Sequence, residues 1–183
     1  MPTIVTHPAV PLALGLGLGG GVVPLRLLIA GVLCSIIPDL DVLAFRFDIP
    51  YASGLGHRGF THSIAFALAV AMIGAFLARL LRARALTAFL FLLVATVSHG
   101  VLDSFTDGGL GVAFLWPWST GRFFAPFQPI EVSPLSLSRL LTHRGAGVVF
   151  SELVWVWLPC AAVALVLAIP RMRRALAAGA AAN

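Results

Sequence analysis

Three long apolar runs limit what this chain can fold into. Roughly His62–Leu81, Ala85–Phe105 and Val148–Ile169 are each long enough to cross a hydrocarbon layer, which takes about 20 helical residues. Two shorter runs precede them, roughly Ala9–Val23 and Leu25–Ile37. Only 10% of the residues are charged, whereas soluble domains carry about 25%. A water-soluble domain is therefore a poor fit, and the runs predict an all-α, polytopic transmembrane helical bundle of about five helices. The first of them, "LGLGLGGGVV", alternates like a strand, but an open strand in lipid leaves its backbone groups unpaired. It is read with the second run as a helical pair, either two short spans or a re-entrant hairpin, turning at Pro24.

The formal charge of +5 comes entirely from arginine, since the chain has no lysine. The arginines are scattered or sit at the ends of apolar runs, which speaks for membrane topology and against nucleic acid as a partner. Arg79, Arg82 and Arg84 crowd the connection between the third and fourth runs, and Arg171, Arg173 and Arg174 follow the last. The positive-inside rule places both groups in the cytoplasm. The N-terminus and the two long connections, roughly Pro38–Thr61 and Thr106–Gly147, then lie outside, with Trp116–Arg144 in the second read as an irregular cap. Arg46, Arg58, Arg122, Arg139 and Arg144 on the outer side run against this orientation without reversing it. No basic residue precedes the first apolar run, which argues against a cleaved signal peptide. Residues 1–183 read as one domain, with 170–183 as a flexible basic tail. Cys34 and Cys160 lie inside apolar runs and read as small core residues.

Polar residues follow the same axis. All seven acids, Asp39, Asp41, Asp48, Asp103, Asp107, Glu131 and Glu152, fall at or beyond the ends opposite the basic turn and tail. So do His7, His57, His62, His99 and His143. Ionisable groups near membrane depth are costly and face a protein interior or wet cavity, where they find partners. In "SHGVLD", His99 and Asp103 are four apart and share one helix face. In "PDLD", carboxylates two apart end the second run. Asp39 or Asp41 also suits a cap for the third segment or a pair with Arg58. Asp107 suits a turn, and Asp48 and Glu131 suit solvated loops. Glu152 suits either a helix N-terminus or ligation. His7, Asp39, Asp41, His57, His62, His99 and Asp103 come from four segments, and together they point to a metal site. With no thiolate available, the donors are nitrogen and oxygen, which suits zinc and also manganese, iron, cobalt or nickel.

"THP" near the start, "PDLD", "HRGFTHS" and "SHGVLDSFTDGG" followed by "LWPWS" closely resemble the membrane-bound metal-dependent hydrolases typified by the LexA-regulated, YdjM-like inner-membrane proteins. The resemblance covers roughly residues 3–130. That family is thought to be distantly similar to zinc-dependent phospholipase C, whose helical core binds metals through His and Asp. Position by position, the resemblance implies ligand roles for His7, Asp39, Asp41, His57, His62, His99 and Asp103, in a bacterial or archaeal cell membrane. "HRG" recurs at His143–Gly145 without an assigned role.

The expected activity is hydrolysis by metal-activated water, with one or two divalent ions. The expected substrate is a phosphoester of a lipid or other amphiphile at the extracytoplasmic face. Asp39 or Asp41 would bridge two ions or act as base, and Arg58 would clamp phosphate or pair with one of those acids. Thr61 and Ser63 would cap the third helix or orient ligands, and Trp116 and Trp118 would join an interfacial aromatic belt. The competing reading is a non-catalytic protein, either a metal-stabilised membrane scaffold or a transporter.

Overall fold

In the computed structural model, residues 1–134 and 140–181 are described, and Arg139 lies outside them. The described residues form an all-α bundle of five helical rods; among them there is no β-sheet, only isolated bridges pairing Thr106 with Ile130 and Val112 with Phe123. Helix α1 (Ala9–Leu18) and α2 (Leu25–Cys34) form an antiparallel pair that turns at Pro24. A 3₁₀ segment, Ile37–Phe47, continues α2, and then come α3 (Ile64–Phe76) and α4 (Ala85–Ser104). The last rod is α5 (His143–Glu152), a π-helical turn Leu153–Trp157, and α6 (Leu158–Ala181).

Among the described residues, three stretches are long and apolar enough to cross a membrane: Leu25–Phe47, Ala85–Ser104 and His143–Ala178. Several of the expected lengths change. The second run, read as short, gains the 3₁₀ segment, because Pro38 falls in its first turn, where a missing N–H costs nothing. The third, read as a full span, is helical only from Ile64 to Phe76, about 20 Å at 1.5 Å per residue. Its remaining residues turn back early, with Arg82 at φ 56°. The C-terminal segment expected as a flexible tail is helical to Ala181, through Pro170.

Small residues set the packing. Helix α3 lies mainly along α4, α1 along α6, and α2 along α4. At Gly17 a β-carbon would fall 2.8 Å from Leu167 Cβ and 3.0 Å from the Ala164 carbonyl oxygen, so glycine is what lets α1 and α6 approach. The arginine-rich turns gather at one end. Arg26 donates to the Leu80 carbonyl (3.1 Å), and Arg171 to the Leu16 carbonyl (3.0 Å). Beside them lies an apolar core of Val23, Leu27, Ala78, Ala88, Phe91 and Leu92. The starts of α1 and α3 and the ends of α2 and α4 converge at the opposite end.

Candidate metal centre

At that convergence Asp39, His62, His99 and Asp103 meet, all buried, each offering an atom within 4.8 Å of the others. Each arrives for a local reason. Asp39 opens the 3₁₀ segment, where three residues make a turn, so Asp39 and Asp41 point in different directions. His62 ends a short 3₁₀ turn that Ser63 terminates by capping α3, its Oγ accepting from Phe66 N–H at 3.1 Å. His99 and Asp103 project from one face of α4, one turn apart.

The two imidazoles are fixed from behind. His99 Nδ1 donates to the Ser35 carbonyl (2.7 Å), and His62 Nδ1 faces Asp41 Oδ2 (3.1 Å) and Thr61 Oγ1 (3.0 Å). A carbonyl and a carboxylate accept only, so both Nδ1 atoms carry the hydrogen. In the neutral rings both Nε2 atoms are then bare lone pairs, yet they stand 3.0 Å apart. They repel unless a positive centre, a proton or a cation, lies between them. The carboxylates decide which suits better. Asp39 Oδ1 is 3.4 Å from His99 Nε2, and Asp103 Oδ2 is 3.3 Å from His62 Nε2. All four oxygens of Asp39 and Asp103 are buried without a hydrogen bond. Buried oxygens normally have partners; the Arg58 guanidinium and, at 4.0 Å, the N-terminal amine face Asp103, but a single shared proton leaves Asp39 without a partner of its own. A divalent cation satisfies both nitrogens and the carboxylates together, so the residues fit a metal.

The other expected ligands fall around this group. His7 is fully buried, with its ring stacked on His99 at 3.7 Å. Its Nε2 lies 3.7 Å from both Asp39 Oδ2 and Asp103 Oδ1, and neither ring nitrogen has a hydrogen bond. Asp41 stands behind His62. Its Oδ1 meets His57 Nδ1 at 2.5 Å, and its Oδ2 accepts from Arg58 N–H (3.0 Å) and Thr61 Oγ1 (2.8 Å). His57 thus reaches Asp41 and not the four-residue group. Glu152 is elsewhere: it ends α5, and it accepts from Thr3 N–H and from the hydroxyls of Thr3 and Thr6 (2.7 Å each). His143 and Arg144 are exposed at the start of α5.

Arg58 is almost wholly buried, and its fork is already taken. Nε lies 3.0 Å from Asp103 Oδ2, Nη1 donates to the Gly108 carbonyl and Nη2 to Thr106 Oγ1, both at 2.9 Å. It therefore pairs with Asp103, not with Asp39 or Asp41, and leaves no bidentate face for phosphate. Gly109, at φ 91°, makes room: a β-carbon there would sit 2.8 Å from Arg58 Nη1.

Arg122 is the residue the sequence concealed. Its Nη2 donates to the carbonyls of Tyr51 (2.8 Å) and Ser53 (3.0 Å), and its Nη1 to that of His57 (3.0 Å). Its guanidinium also lies 5.5 Å from the Tyr51 ring centre, close enough for a cation–π contact. It ties the cap to the loop that carries His57, Arg58 and Thr61. Asp107 serves the cap too, accepting from Val132 N–H at 2.7 Å. Trp118 is exposed, whereas Trp116 is half-buried against Phe60, ring centres 5.5 Å apart.

Comparison with known proteins places this arrangement. The family model described as "YdjM inner membrane protein" matches residues 1–177. The chain belongs to the YdjM inner-membrane protein family. It is also 54% identical over 160 residues to "Inner membrane protein YbcI" of Escherichia coli (strain K12), covering 87% of this chain and 92% of that protein. No solved structure matches. Membership and the spanning helices together make it an integral membrane protein. The YdjM-family resemblance read from the motifs is borne out, and the candidate centre is built from three of those motifs: "PDLD", "HRGFTHS" and "SHGVLD".

Proposed function

We propose that this YdjM-family member is a metal-dependent hydrolase that cleaves a phosphoester of a lipid or similar amphiphile at the extracytoplasmic face of the membrane. The observation that carries this is the facing pair of Nε2 lone pairs, 3.0 Å apart, among four carboxylate oxygens with no hydrogen bond. A divalent cation held there supplies Lewis acidity and makes a nucleophile of water near neutral pH. The chain's own residues do the rest. His62 and His99 present Nε2, their rings held by Asp41 and by the Ser35 carbonyl. Asp39 and Asp103 each turn one oxygen toward this pair and the other toward His7. His62 and His99 would hold one cation together with Asp39 and Asp103, and His7, facing the other oxygens of the same two acids, would hold a second. Arg58 holds Asp103 and offsets part of the negative charge. Asp41, bonded to four neighbours, acts as a positioning residue and not as a base.

Zinc fits the mixed nitrogen and oxygen donors best. An amphiphilic substrate follows from the position of the centre at the end of a membrane bundle, and the extracytoplasmic side from the arginine turns at the other end. The test is metal quantification on detergent-purified protein, then a hydrolysis screen on phospholipids and isoprenoid phosphates with and without chelator. Bound zinc and chelator-sensitive phosphate release are the expected results; absence of metal from freshly purified protein would sink the reading.

One observation favours a second reading. The four ligands are between 0 and 5% exposed, and a closed four-donor shell is the form of a structural site. A metal-stabilised scaffold would lose thermal stability with chelator yet release no product from any phosphoester.

A further inference from the structure

We propose that Glu152, on the last rod, is the positioning residue for His7. This rests on the two-cation reading above. His62 and His99 are each fixed by a hydrogen bond at Nδ1, whereas His7 has none at either nitrogen. A ligating imidazole nearly always gives its other N–H to a partner that sets its direction. For His7 that task passes to the backbone beside it. Residue Thr6, immediately before it, is wholly buried, and its hydroxyl donates to Glu152 Oε2 at 2.7 Å while accepting from Trp157 Nε1 at 3.1 Å. Glu152 holds Thr3 as well, through both backbone N–H and hydroxyl. It is itself 2% exposed, and no cation pairs with it among the described residues, so these donors are what make its burial tolerable.

The π-helical turn explains how one rod supplies both groups. Glu152 and Trp157 are five residues apart and would diverge on a regular α-helix. A π turn, with its i to i+5 bonds, brings residues five apart close to one face. The bulge thus aims a carboxylate and an indole N–H at the same threonine, and π-bulges are frequent where function needs a side chain re-aimed. Among the described residues, this is the one piece orienting a ligand that comes from the last rod.

The experiment is a zinc titration of full-length, detergent-purified protein against a chromophoric chelator, in wild type, His7→Ala, Glu152→Gln, Trp157→Phe and the double variant His7→Ala/Glu152→Gln. Wild type is expected to take two zinc ions and His7→Ala one. Glu152→Gln should weaken the His7-dependent step by about 10–100-fold and leave the other unchanged. Trp157→Phe, a milder change that keeps an aromatic ring, should weaken the same step in the same direction. The double variant should bind its remaining zinc as His7→Ala does. Wild-type affinity at both steps in Glu152→Gln and Trp157→Phe, or equal weakening of both steps, would overturn the assignment while leaving the two-cation reading intact. A single zinc in wild type, unaffected by His7→Ala, would remove that reading and this proposal with it.

Discussion

At the scale of single residues, the centre separates groups that would touch a cation from groups that aim them. His62→Ala or Asp103→Ala removes a donor from the four-residue set and is expected to abolish metal retention in protein that still extracts as a folded monodisperse species; metal analysis after size exclusion checks this. Asp41→Asn keeps the shape but weakens the hold on His62 Nδ1, and should lower affinity by about 10–100-fold without abolishing binding. A competition titration separates the two outcomes. Arg58→Ala removes the guanidinium that pairs with the buried Asp103, and loss of one member of a buried pair costs about 3–5 kcal/mol. Thermal unfolding in excess chelator should show that loss directly. The sequence made the inner residues legible because "PDLD", "HRGFTHS" and "SHGVLD" place donors at fixed offsets on short elements. It could not show that Asp41 and His57 stand one step outside, since that depends on the 3₁₀ winding that turns Asp39 and Asp41 apart. Nor could it show the Ser35 carbonyl, a backbone group that any residue supplies.

Among the elements, composition revealed the number of rods and hid their ends. Apolar length identified all five, and the glycine-rich α1 is indeed half of a helical pair. The ends depended on turns: Pro38 extends the second run, and the third leaves the α-helix at Leu77, well before the left-handed Arg82 in the basic turn. The π turn was invisible because "LVWVW" is as apolar as its neighbours. Packing of α1 against α6 is set by Gly17, whose absent side chain leaves room for Ala164 and Leu167. Gly17→Leu is expected to cost about 1–3 kcal/mol through overpacking, read as a lower unfolding temperature in detergent. Because Gly17 sits at the arginine end, that variant should keep its metal. A loss of metal along with stability would mean that the two ends of the bundle are coupled.

For the molecule as a whole, polarity along one axis is the organising fact. Arginine turns occupy one end, and imidazoles with carboxylates occupy the other. A fluorescent protein fused after Asn183 should therefore mature in the cytoplasm, while an alkaline phosphatase fused at the same place stays inactive; the reverse result would invert the orientation. The order of the chain adds something about assembly. Every side chain in the four-residue group precedes Phe105, whereas Glu152 and Trp157 come later. The four donors of the candidate centre are thus all made before the cap is complete. Glu152 and Trp157, made last, fasten the leading segment only afterwards, so a cation bound at the four donors would be loaded before that segment is sealed.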